Sequence, residues 1–302
     1  MSTSPLDGLV VRTAVVVRVD LGFIYACDPK KEEEEIPRTI TFRWTSGVFE
    51  RGECNYDAHT ACITQYPEPG LVDASGQGYY SINTRNGMMT GDVFENSQPP
   101  PRKRRITGIR SVSEIAGKAY AVGYQGMVYR LDRLNKWTRI DNGLPESFDI
   151  DAIHGFDDSD IYAVGLSGQL WHFNGTEWTK QELPTNKNLS TVKCAGDGTV
   201  YLAGHEGMLI RGRKNRWAII EHAMAPDDIW DIEWFEGELY VSTMSGVYRL
   251  KDDTLEPVDF GNDPPKSTYQ LSAAKGVMWS NGEYDVMSFD GKKWSRIVKT
   301  WE

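Results

Sequence analysis

Tyr120-Ala-Val-Gly123-x-x-Gly126 returns as Tyr162-Ala-Val-Gly165-x-x-Gly168 and again as Tyr201-Leu-Ala-Gly204-x-x-Gly207. A weaker copy reads Tyr240-Val-Ser-Thr243-x-x-Gly246, and the intervals are 42, 39 and 39 residues. Apolar, β-branched runs closed by glycine turns at this period are the mark of a propeller blade, a four-stranded antiparallel sheet repeated along the chain. The repeat constrains the fold far more than the activity.

Residues 148–184 show one unit in full. A short strand at 149–154 is followed by the turn Phe156-Asp-Asp-Ser-Asp160 and by Ile161-Tyr-Ala-Val164, closed by Gly165. Leu166-Ser-Gly168 turns the chain into a third strand at 169–173. Asn174-Gly175 is a strong hairpin signal, because both central positions of that turn favour positive φ. A fourth strand then carries Trp178. The first-strand landmark recurs at Ile109, Ile153, Val192, Ile232 and Leu271, and the last-strand landmark at Trp137, Trp178, Trp217, Leu255 and Trp294. Clear repeats therefore cover 106–298. In the irregular region 1–100, segments 61–65, 70–74, 78–82 and 91–95 can form another blade, and 9–19, 21–27 and 39–44 give three strands of a looser one. The expected architecture is all-β: a single propeller domain over 1–302 with seven four-stranded blades, or six plus an N-terminal appendage. Lys30-Lys-Glu-Glu-Glu-Glu35 reads as a mobile loop. A doubly wound α/β fold is disfavoured, since no stretch keeps the helical i, i+3, i+4, i+7 period over three turns.

Such a sheet is apolar on both faces and cannot be stable alone; stacking between neighbours covers both faces. The tryptophans in one repeated slot are accordingly read as locks between blades rather than as a stacking platform for sugars or peptides. The repeated glycines are read as turns, because no helix follows them to complete a phosphate cradle.

The turns Ser288-Phe-Asp290-Gly-Lys-Lys-Trp294 and His172-Phe-Asn174-Gly-Thr-Glu-Trp178 resemble degenerate Asp-box hairpins, and the wider blades resemble WD repeats without the terminal Trp-Asp. The resemblance implies a propeller in which the Asp-box serves the turn. It implies no enzyme: sialoside-cleaving relatives use three arginines with a tyrosine–glutamate pair, and here only Arg105 and Arg110 stand in comparable first-strand positions. Fold likeness carries function poorly in any case.

Catalytic and metal motifs are not recognised. His59, His154, His172, His205 and His222 lack zinc-ligand spacing. Asp157-Asp-Ser-Asp160 occupies a turn slot and lacks the glycine and distant glutamate of a calcium loop. No cofactor is expected. The formal charge of −10 disfavours nucleic acid and favours a cationic partner. No run is long and apolar enough for a membrane helix. The opening residues lack a basic leader, so a cytoplasmic location is expected. The four cysteines are read as free thiols, with a Cys54–Cys62 pairing left open.

Two stretches stand out as surface determinants. Pro99-Pro-Pro-Arg102-Lys103-Arg104-Arg105 is a stiff basic connector, or simply a solvated linker. Asp227, Asp228, Trp230, Asp231 and Glu233 make an acidic–aromatic stretch suited to a basic partner, or a solvated blade edge. The connectors at 98–105, 142–147, 185–188, 222–228 and 261–266 vary while the strands do not, the usual build of a binding face on a rigid scaffold. The expected function is non-catalytic protein binding by a monomer. A stand-alone acidic binder of this kind resembles immunity proteins that occlude bacterial toxins. A carbohydrate-binding or glycoside-hydrolysing propeller and an assembly scaffold are the alternatives.

Overall fold

The computed structural model describes residues 4–33, 38–99, 108–223 and 227–301. Seven antiparallel sheets of four strands follow one another along them, one carrying a fifth strand. They group into two compact units, residues 1–58 with 221–302, and residues 59–220. The first unit holds the sheets at 10–54, 231–257 and 270–299. The second holds those at 58–92, 109–139, 150–181 and 189–219, its boundary falling one residue into the first of these strands. The seventh sheet is thus a complete N-terminal one, and the six-plus-appendage count is set aside.

The fourth sheet matches its sequence pattern closely: Ile150–Asp157, Asp160–Gly165, Leu170–Phe173 and Trp178–Gln181 pair in chain order. Tyr162 lies opposite both His154 and His172, so one row crosses three strands. Its second strand is buried on both faces after the first residue, which explains the continuous apolar run Ile-Tyr-Ala-Val. Gly165 is extended, but a Cβ there would sit 1.9 Å from the Asp149 carbonyl oxygen. Gly168 has φ +65°, and a Cβ would meet the Thr185 carbonyl oxygen at 2.6 Å. The two glycines of the repeat thus answer different demands, close approach and backbone hand.

The Asp-box hairpins are turn chemistry. Asn174 Oδ1 accepts from the amides of Thr176 and Glu177, each at 3.0 Å. Asp290 Oδ1 accepts from Lys292 and Lys293 at 2.8 Å, and these amides hold its carboxyl below the ordinary range.

The N-terminal region departs in detail from the sequence pattern. Val48–Cys54 forms a fourth strand of the first sheet that its charged, mostly exposed sequence conceals. In the next sheet the fourth strand is Gly87–Asp92 rather than 91–95, because the chain turns immediately after Thr84. Pro29–Glu33 is a short helix where a loop was expected. Ser97–Gln98 adds a parallel fifth strand beside Lys136–Arg139, ordering the start of the proline-rich connector.

Within each unit, neighbouring sheets are joined by a recurrent hydrogen bond. A side chain on the first strand of one sheet accepts from a backbone N–H on the first strand of the next. Thr60 Oγ1 accepts from Val112 at 3.0 Å, and His154 Nδ1 from Cys194 at 3.2 Å. Asp231 Oδ2 accepts from Leu271 at 2.9 Å, and Ser272 Oγ from Val16 at 3.1 Å. The last of these joins the C-terminal sheet to the N-terminal one, where Trp279 meets Trp44 edge-on at 5.5 Å.

Aromatic side chains make the outer half of each junction. Trp137 packs edge-on to Tyr80 at 5.5 Å, and Trp217 to Tyr162 at 5.9 Å. Trp178 donates its indole N–H to the Ile140 carbonyl at 2.7 Å. Trp294 lies 4.8 Å from Phe260 of the preceding connector. Tyrosines reach across as well: Tyr80 donates to Asn135 and the repeat tyrosine Tyr120 to Asp158, each at 2.7 Å. All four cysteines are free thiols, and burial pushes Cys62 and Cys194 up, keeping them protonated.

Two outcomes follow from these junctions. Trp178→Ala empties an aromatic site only 3% exposed and should lower stability by about 3–5 kcal/mol, read from the denaturant midpoint. For His154, burial, with the Lys193 charge beside it, holds the imidazole well below its ordinary value of 6.5. Its Nδ1 is already an acceptor, so protonation there breaks the bond to Cys194. Below that value the unfolded chain takes up a proton that the folded chain refuses, so stability falls as pH drops from 7 towards 5. His154→Asn, which keeps an acceptor at a similar reach, should flatten that dependence by up to about one proton. Equal slopes for both proteins in urea unfolding across this range would refute the assignment.

Candidate functional site

Turns and connectors meet on one face of each unit. In the second unit, Gly126 donates its N–H to the Phe148 carbonyl at 2.6 Å, and Gln125 donates to Asp149 Oδ1 at 3.0 Å. The next turn repeats this, with Ser167 donating to Asn188 Oδ1 at 2.8 Å, and Lys187 pairs with Glu206 at 3.0 Å. Arg110 forms an ion pair with Asp151 on the adjacent first strand and covers the Tyr124 ring. Burial nevertheless raises the Asp151 carboxyl, against the pull of that arginine. In the first unit, Ser245 Oγ donates to Asp227 Oδ2 at 2.9 Å and Thr268 Oγ1 to the Thr243 carbonyl at 2.6 Å. Each of these turns is therefore tied to a connector by a hydrogen bond or ion pair.

The basic candidates Arg102, Lys103, Arg104 and Arg105 lie outside the described residues. The acidic–aromatic stretch divides in two. Asp227 and Asp228 are half-buried, and Trp230 is 38% exposed. Asp231 starts the strand Asp231–Phe235 and is committed to the fold: its carboxylate accepts from Ile232 and, across the sheet junction, from Leu271. Glu233 is buried and accepts from the Trp234 amide at 2.8 Å. The surface part is thus 227–230, and 231–233 serves the junction.

Beside Trp230 the structure places residues that the linear pattern did not mark. The Tyr269 ring lies 5.7 Å away, and Ser242 Oγ donates to the Tyr269 carbonyl. Met244 occupies the turn slot held by Tyr124, Leu166 and His205 in the other repeats. That slot varies freely between strictly patterned strands, and it was the available signal.

A second feature lies on the outer hairpin at 209–219. Arg211, Arg213, Arg216 and Trp217 line a shallow cavity of about 540 Å³. Arg213 is already engaged, 2.6 Å from Asp160 and stacked 4.2 Å over Phe156. Among the described residues no group of three or more metal-ligating side chains comes together, and no helix is long and apolar enough to cross a membrane.

No protein-family model matches the chain. Among solved structures it is similar to the WD40 β-propeller domain of Doa1, with a TM-score of 0.67, 9% identity and 93% of each chain covered. It is also similar to YCF48 from Cyanidioschyzon merolae, with a TM-score of 0.60, 14% identity, and 80% and 86% of the two chains covered. At such identities the likeness establishes a β-propeller fold and nothing of activity. The sequence comparison reaches further: over 299 residues the chain is 36% identical to Immune protein Tsi7 of Pseudomonas aeruginosa PAO1, spanning 94% of this chain and 96% of that one. Similarity of this extent runs through nearly the whole chain, and the chain belongs to the family of the immunity protein Tsi7.

Proposed function

We propose that this chain binds a bacterial toxin protein and neutralises it by occlusion, acting as a monomer in the cytoplasm on a toxin with a basic surface. The observation that carries this reading is the full-length similarity to a protein named for immunity. Two physical features support it. Sheets locked to their neighbours present turns and connectors as a preorganised surface, which lowers the ordering cost of binding. The charge of −10 steers a cationic partner and speeds encounter more than it tightens the final complex.

Co-expression with the product of the gene adjoining its own should restore growth to cells which that product kills, and the two proteins should co-elute as a one-to-one complex. Cell death despite expression, with no complex at micromolar concentration, would remove the reading. Reversing Asp227 and Asp228 to lysine together should leave the thermal midpoint within about 2 °C, since both are half-buried in a connector outside the sheets. The same change should slow association about tenfold, with a weaker salt dependence and little change in dissociation.

A further inference from the structure

Three large apolar or aromatic side chains emerge within one small region of the first unit. Trp230 is 38% exposed, Met244 49% and Tyr284 40%. Isolated exposed residues of this kind are ordinary, but a contiguous group on a rigid base is not.

The backbone brings the segments that carry this group together. Trp230 donates its N–H to the Ser242 carbonyl at 2.9 Å, two residues before Met244. Met244 accepts from Thr268 at 3.3 Å, and Tyr269 donates to the Asn281 carbonyl at 2.8 Å. Tyr284 donates its amide to Ser267 Oγ at 3.4 Å. Four segments from the entry, turn and exit of the sheet at 231–257 and the turn of the sheet at 270–299 are thereby laced together. Tyr269 bridges them, its ring tilted 53° against Trp230. Burial, then the Glu283 carboxylate and Tyr284, push the Tyr269 hydroxyl up, so it stays a neutral donor and acceptor.

The rim is acidic. Asp227 is anchored through Ser245, which follows Met244, and Glu283 precedes Tyr284. The nearby cations are already engaged: Lys266 and Lys299 lie over the Trp301 ring, their Nζ atoms 3.5 and 4.4 Å from the centroid, and Arg296 pairs with Asp263 and Asp285.

We infer that Trp230, Met244, Tyr269 and Tyr284 form the anchor patch on which a lysine- or arginine-bearing segment of the toxin docks, the cation lying against the indole and phenol faces inside the carboxylate rim. The inference rests on the immunity reading and deepens it. Tryptophan and tyrosine offer large, stiff faces at low entropic cost and attract cations through their ring quadrupoles. Carboxylates at the margin complement the same charge, and a central aromatic cluster inside a polar rim is where binding energy concentrates.

The test titrates the adjoining gene's toxin, catalytically inactivated, into the intact chain by calorimetry. Trp230→Ala should weaken Kd by about a hundredfold or more and Tyr284→Ala by about tenfold, each with an unchanged thermal midpoint. Trp230→Phe, which keeps a ring face, should recover much of the loss. Met88→Ala, 66% exposed in the second unit, should bind like the parent. If Trp230→Ala disturbs folding, Met244→Glu and Tyr284→Ala decide in its place. Parent binding with every patch variant within about twofold of it would overturn the patch and leave the immunity reading standing. A parent chain that does not bind the toxin would overturn both.

Discussion

A four-stranded antiparallel sheet ends in a strand whose outward N–H groups have no partner, and here a side chain of the neighbouring sheet supplies one. Thr60, His154, Asp231 and Ser272 all do this, on the first strands of four different sheets. An unsatisfied buried N–H costs about 1–3 kcal/mol, so each bond prevents a penalty more than it adds attraction. Its greater consequence is geometric. The acceptor and the N–H meet at one register only, so neighbouring sheets cannot slide. The tryptophans and tyrosines then fill the outer half of each junction at a position already set.

The turn-and-connector face inherits its rigidity from these junctions. A turn that donates into the adjacent connector cannot move without breaking hydrogen bonds at Gly126, Ser167 or Ser245. Rigidity of this kind suits the proposed role of binding and occluding a partner. The strands keep one grammar throughout, while the turn slot holds Tyr124, Leu166, His205 and Met244 in succession. The fold tolerates that variety because the glycine and hydrogen-bond requirements fall on the neighbouring positions. Recognition chemistry can therefore change without a change in architecture.

Charge is divided in the same way. Asp231 belongs to the acidic run at 227–238, yet its carboxylate is spent on Ile232 and Leu271. Asp227, four residues earlier, leans on an exposed serine at the surface. Side chains of one type thus serve a sheet junction and the surface within a few residues of chain. The separation follows the burial of their backbone neighbours, not their own chemistry.

Much of the fold was legible because its signals are local. Positive-φ turns such as Asn174-Gly175, apolar runs such as Ile161–Val164 and a tryptophan in four of the seven last strands recur at a nearly fixed period, and neighbouring residues suffice to specify them. Val48–Cys54 escaped notice for the converse reason: an exposed outer strand needs no apolar pattern, and this one is rich in charge. The sequence by itself determined an all-β protein built of repeated units about forty residues long and the acidic field around it, while the count of seven rather than six plus an appendage came from the structure. Only the tertiary structure decided that Trp230, Met244, Tyr269 and Tyr284, spread over more than fifty residues of chain, share one surface. Their proximity comes from the stacking of two sheets at a register held by Asp231 and Leu271. No local period encodes a register that packing between separate sheets must set.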